Sequence, residues 1–385
     1  MVNIFLFLSL IFLLTFIFGR FLERARVPWL FSALLLGAVL AIQNPFQTVT
    51  DSPTFSFLAQ LGMYLLLFII GFEMDIKKMR RNSRFIFKAT FFIILLEALF
   101  GSILVRFLFG YDWIISILVA LSFATIGEAI LIPILDEFGI TRTSFGQTII
   151  GIGTLDDIIE VFVIILAIVL IGSGSGAGVN LPTMLFSLLV IFLLSAGMIK
   201  LKKEGRRFNF PNIEMLFLFV LFVLLLYIGI GEYGDAAPLA ALLSGIALRT
   251  FVPKERLTLI ESEIKTMCYG FFAPVFFLWV GVDMDMGYLF TYPLLILLVV
   301  LVSIGAKILG SYIISVKRFK KKKSILMGLG LSVRFSTSII VIRMLLDSGK
   351  IGSDLYSVIV ASSIIPMFVI PFLFSHLLIR WVIKD

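Results

Sequence analysis

Apolar runs long enough to cross a bilayer recur from one end of this chain to the other, and that recurrence constrains the fold more than any other feature. Within hydrocarbon every backbone N–H and C=O must find a partner inside the protein, so only helices and closed barrels can span. Barrel strands would show short alternating segments. These runs are continuous and rich in Leu, Ile and Phe. Hydrophobic residues make up 60% of the 385 and charged residues only 15%, against about a quarter in soluble domains. The sequence therefore predicts an all-α polytopic membrane protein. Its thirteen transmembrane helices are expected at roughly 2–19, 27–42, 57–74, 85–107, 112–136, 146–171, 181–200, 212–230, 236–250, 267–284, 290–315, 324–346 and 354–382. No loop is large enough for a soluble domain.

The basic residues test that count. Alternate loops, taken from the one after the first helix, collect 27 of the 32 Lys and Arg residues, whereas the opposite loops hold Arg106 and Lys350. Cytoplasmic loops carry the excess of basic residues. The expected location is thus the inner membrane, with the N-terminus outside and the C-terminus cytoplasmic. The net charge of +8 reads as topology and contact with anionic lipid, not as nucleic-acid binding. The single cysteine, Cys268, rules out an intrachain disulfide. The lone histidine, His376, reads as an ordinary helix residue. The stretch from Val2 to Phe18 lacks a basic n-region and a small-residue cleavage site, so a retained helix is expected.

The chain also repeats itself. Gly71-Phe72-Glu73-Met74-Asp75 ends the third span and Gly281-Val282-Asp283-Met284-Asp285 ends the tenth. An odd number of spans separates them, so the two halves are inverted, as in secondary transporters whose site lies at the repeat interface near mid-depth. The same offset pairs the fifth span with the twelfth and the sixth with the thirteenth.

Charged residues inside spans are costly and mark function by default. The sixth span carries Asp156 and Asp157 with apolar residues on both sides. Adjacent helix residues point about 100° apart, so one can face an ion while the other faces a partner. Like charges this close push their proton affinities apart, and carboxylate oxygens suit hard cations. Lys307 sits mid-span in the eleventh helix with no carboxylate within a turn. Two readings stand for it: a cross-helix ion pair, with the aspartate pair as partner, or an ammonium snorkelling to the membrane surface. The fifth span, with Ser122, Thr125, Gly127, Glu128 and Pro133, and the twelfth, with Gly328, Gly330, Ser332, Arg334, Ser336 and Ser338, both look broken. Small and hydroxyl residues at mid-depth let a backbone unwind around a cation; ordinary small-residue packing is the other reading. Arg334 is expected to balance the carbonyl ends of a break.

On these residues the chain resembles the second monovalent cation:proton antiporter family, of NapA and Kef type, over nearly its whole length. The matching segments are Asp156-Asp157, Ala306 to Gly310, Gly71 to Asp75, and Phe271 to Phe277 leading to Gly281. The resemblance implies a NhaA/NapA-like fold with two broken crossing helices. Core helices would fall at about 85–171 and 290–382, scaffold and dimer helices at about 2–74 and 212–284, and a linker helix at 181–200, all within one antiporter domain of residues 1–385. It implies exchange of sodium or lithium for protons by an elevator-type mechanism, electrogenic, in a homodimer without cofactor. Asp156 would pair with Lys307, Asp157 would bind the sodium ion, and Thr125 would line the site. The alternatives are a Kef-like potassium/proton antiporter of the same fold and a cation channel or sensor. The chain departs from the pattern in several places. Arg334-Phe335-Ser336 stands where Pro-Arg-Gly-Glu is usual, Thr125 is followed by Ile126, and Glu128 and Glu160 are additional carboxylates. Glu128, Glu160, Arg334 and Ser336 are therefore accessory candidates.

Overall fold

The computed structural model describes residues 3–24, 27–73, 84–126, 131, 134–135, 138–172, 181–201, 212–234, 236–252, 254–334 and 336–383. All regular structure among them is helical. In chain order the helices are α1 (Ile4–Arg24), α2 (Phe31–Ile42), the single turn α3 (Gln47–Thr50), α4 (Pro53–Glu73), α5 (Arg84–Phe109), α6 (Trp113–Phe123), α7 (Ser144–Gly172), α8 (Leu181–Lys200), α9 (Ile213–Glu232), α10 (Ala237–Phe251), α11 (Lys254–Met267), α12 (Ala273–Val282), α13 (Met286–Thr291), α14 (Pro293–Gly330), α15 (Ser336–Asp347) and α16 (Ser353–Leu378). A five-residue π-helical stretch, Cys268–Phe272, joins α11 to α12. Seven stretches among the described residues are long and apolar enough to cross a membrane, and the chain is a multi-pass membrane protein.

The distribution of side chains is inverted relative to a soluble protein. Phe5, Phe107, Leu294 and Phe372 point outward at 75–79% exposure, while Glu97, Asp156, Lys307 and Arg334 are 0–1% exposed. Outward apolar groups meet lipid tails without penalty. Buried charges persist only where the protein supplies counter-charges and hydrogen bonds.

The helices pack in two sets. α5, α6, α7, α14, α15 and α16 lie against one another; α1, α2, α4, α9, α10 and α12 do likewise, with α8 against α9 and α10. In the second set the repeated motif acts through its glycines. A Cβ on Gly71 would stand 2.1 Å from the Leu242 carbonyl oxygen of α10, and one on Gly281 would stand 2.3 Å from the Leu34 carbonyl oxygen of α2. Small residues let helix backbones approach this closely in a membrane. The motif acids behave alike too. Glu73 meets Lys265 at 2.5 Å, and Asp283 meets Arg343. Met74 and Asp75, the rest of the first copy, lie outside the described residues.

α14 is continuous in hydrogen bonding but turns sharply at Lys320, which has φ 63° and ψ 173°. The second arm folds back along the first, so that a Cβ on Gly328 would stand 2.5 Å from Ile308 Cα. Ser315 donates to Ser324 across the turn at 2.8 Å. This hairpin sets the depth of Lys307 against the residues that follow Gly330.

Candidate functional site

Two helix ends converge on one buried side chain. α6 ends at Phe123 and Ala124 caps it, its N–H donating to the Ala120 and Leu121 carbonyls. Its end is local chemistry: Ser122 donates to the Val119 carbonyl at 2.7 Å and Thr125 to that of Ser122 at 3.3 Å, the back-bonding by which hydroxyl residues compete with a helix ladder. The second arm of α14 ends at Gly330, and the chain is non-helical from Leu331 through Arg334 before α15 begins at Ser336.

Lys307, fully buried, lies between these ends. Its Nζ donates to the carbonyl oxygens of Thr125 at 2.9 Å and Leu331 at 2.8 Å. Both belong to helix C-terminal ends, which carry partial negative charge, so the ammonium complements both dipoles. Arg334, expected to balance these carbonyls, makes its described contacts with Ser303, Ser362 and Glu97. The opposite polarity is met by Asp156, whose Oδ2 accepts from the Ile126 backbone N–H at 2.5 Å. A break frees both donors and acceptors; here a cation takes the acceptors and an anion takes a donor.

A fourth helix contributes a carboxylate absent from the sequence expectations. Glu97, midway along α5 and 1% exposed, places Oε2 3.3 Å from Lys307 Nζ. Its Oε1 accepts from Ser303 and lies 3.7 Å from Arg334 Nη2. Arg334 also donates to Ser303 and, at 3.3 Å, to Ser362 of α16. Its guanidinium carbon stands 5.0 Å from the centre of the Phe123 ring, within cation–π range. The Coulomb field of Asp156 reaches Lys307 as well as that of Glu97. The rule that singled out Asp156 and Asp157, a carboxylate far inside an apolar run, would also have found Glu97.

Of the other expected residues, Thr125 lies at the crossing through its carbonyl. Asp157 occupies α7 beside Asp156, and Ser336 opens α15; the structure describes their helical position and not their side chains. Glu160 is 7% exposed, one turn beyond the aspartate pair, and takes part in an interaction of its own. Glu128 lies outside the described residues. Arg343 pairs with Asp283 and Asp347 and stacks 3.4 Å over the Trp279 ring.

The arrangement is suited to binding a small cation or proton, with buried carboxylates beside two helix ends. Comparison with known proteins agrees with that chemistry. The family model described as sodium/hydrogen exchanger, transmembrane, matches residues 9–380. A Methanocaldococcus jannaschii protein named Probable Na(+)/H(+) antiporter 3 is 27% identical over 374 residues, with 94% of each chain covered. The Na(+)/H(+) antiporter of Enterococcus hirae is 24% identical over 378 residues, covering 96% of each. The solved structure of the sodium proton antiporter MjNhaP1 from Methanocaldococcus jannaschii superposes with a TM-score of 0.67, covering 96% of this chain and 98% of that one. At 19% identity that likeness concerns the fold. With a family match over nearly all of its length, the chain belongs to the sodium/hydrogen exchanger family.

Proposed function

We propose that this protein exchanges sodium or lithium ions for protons across the membrane. The observation that carries the reading is the meeting of two helix ends, whose carbonyls at Thr125 and Leu331 accept from Lys307 while Asp156 accepts from the nearby Ile126 N–H. Around Lys307 the buried cations Lys307 and Arg334 are matched by Glu97 and Asp156. Asp157 adds a further negative charge that a monovalent cation or a proton can neutralise. Sodium and protons then compete for Asp157, while Asp156, sharing Lys307, is the second proton-exchanging group. Two carboxylates titrating against one cation make the exchange electrogenic.

In this reading the protein has thirteen spans, with the N-terminus outside and the C-terminus cytoplasmic. The helices within 85–171 and 290–382 form a core that moves against the scaffold within 2–74 and 212–284, with 181–200 as linker, in a homodimer. An occupied site crosses in either loaded form and an empty, charged site crosses poorly, which is what couples the two fluxes. The test is collapse of an imposed proton gradient in proteoliposomes on addition of sodium, lithium, potassium or calcium. Sodium- and lithium-dependent collapse supports the reading. A response to potassium alone would replace it with potassium/proton exchange, and cation flux without proton movement would replace it with a channel.

A further inference from the structure

Glu97 lies on α5, a helix that carries no residue assigned above to bind the cation or the exchanged proton. At 1% exposure its charge must be compensated within the protein. Lys307 and Arg334 do so at 3.3 and 3.7 Å. Ser303 fixes the geometry by donating to Glu97 and accepting from Arg334. Ser303 and Lys307 are four residues apart on α14 and so share one face, the face turned toward α5.

An ammonium has three protons to donate. At Lys307 two go to the Thr125 and Leu331 carbonyls and the third side faces Glu97. Asp156, meanwhile, accepts from the Ile126 N–H. We infer that Glu97 is the standing counter-ion of Lys307: it holds the ammonium across the two helix ends whatever load Asp156 carries, and so leaves the aspartates to the cation and the proton. Glu97 is a positioning residue. It acts on the transported ion through Lys307, and the inference rests on the antiporter reading above.

Without Glu97 the ammonium would fall wholly to the aspartates and compete with sodium for their oxygens. The site would also lose one negative charge nearby. Both effects weaken cation binding in the same direction. Glu97→Gln should therefore raise the apparent KM for sodium about tenfold or more, the size of effect that a charge at 4–6 Å has on a proton equilibrium. kcat at saturating sodium should change less than KM. Glu97→Asp keeps the charge and should recover part of the affinity. Ser303→Ala removes the hydrogen bond that orients Glu97 and should raise KM by a smaller factor.

A second measurement is independent of transport. Thermal unfolding in detergent is compared for the wild type, Glu97→Gln, Lys307→Gln and the double variant. Each single change strands a buried charge, so the double variant should lose less than the sum of the two. Strictly additive losses would overturn the counter-ion. Non-additive losses with an unchanged KM in Glu97→Gln would overturn its role in affinity. A lowered kcat at unchanged KM, not rescued by Glu97→Asp, would make Glu97 a purely structural residue. Should the wild type exchange no cation, the antiporter reading falls and the affinity role falls with it, while the unfolding cycle still decides whether Glu97 holds Lys307.

Discussion

Gly328 and Gly305 both lie on α14 and provide a matched pair of perturbations. A Cβ at Gly328 would stand 2.5 Å from Ile308 Cα, 2.8 Å from the Lys307 carbonyl oxygen and 2.9 Å from Ile308 N. All three are backbone atoms, so no side-chain rotation relieves the clash. Carbon atoms rest at about 3.5–4.0 Å, so the two arms of the hairpin must part by about 1 Å. Overpacking of this kind costs about 1–3 kcal/mol. The displaced backbone includes Lys307, and a shift of about 1 Å in a functional group can cost about a hundredfold in rate. At Gly305 a Cβ meets nothing within 4 Å, and replacing a mid-helix glycine by alanine gains up to about 1 kcal/mol. Gly328→Ala should therefore melt several degrees below the wild type in detergent and lose most of its sodium-dependent proton exchange in proteoliposomes. Gly305→Ala should melt at or above the wild type and exchange normally. If both variants melt and exchange alike, the close packing of the hairpin does not position Lys307 and the reasoning fails.

Asp157→Asn should abolish exchange while the protein still inserts and folds, because an amide cannot alternate between proton and cation; undiminished sodium-dependent activity in the reconstituted variant would remove Asp157 from the ion site. Glu128→Gln and Glu160→Gln should shift apparent cation affinity or the pH profile and retain turnover; loss as complete as that of Asp157→Asn in either would move the site. Arg343 is 4% exposed, whereas the side chains of its partners Asp283 and Asp347 are 37% and 36% exposed. Stranding a buried cation by removing its partners costs about 3–5 kcal/mol, and carboxylates that water reaches are stranded at lower cost. Thus Arg343→Met should destabilise less than Asp283→Asn/Asp347→Asn in thermal unfolding, and the reverse order would show that Arg343 is held mainly by its stacking on Trp279.

Membrane class and helical content were legible in the sequence because they depend on local averages: long apolar runs, few charges, and basic residues gathered in alternate loops. The helix ends at Phe123 and Gly330 fall beside the hydroxyl and glycine residues that the sequence singled out, which are local instructions to the backbone. The repeated Gly-x-acid motif could be read as a repeat, but its glycines act on helices far along the chain, Gly71 on α10 and Gly281 on α2. Only the packed structure shows that action.

What tertiary structure alone decided is which charges meet. Glu97, Asp156, Lys307 and Arg334 lie on four segments spread over more than half of the chain, and no periodicity within one helix reports the depth or rotation of another. Sequence led to the aspartates as the partner of Lys307 and to Arg334 as the balance for the helix ends. The folded chain brings Lys307 to those ends and Glu97 to Lys307. The physical reason lies in the hairpin of α14. Its turn at Lys320 and the close contact at Gly328 set how far the second arm runs back, so the end of that arm arrives beside Lys307. A buried charge then takes whichever partners that depth presents.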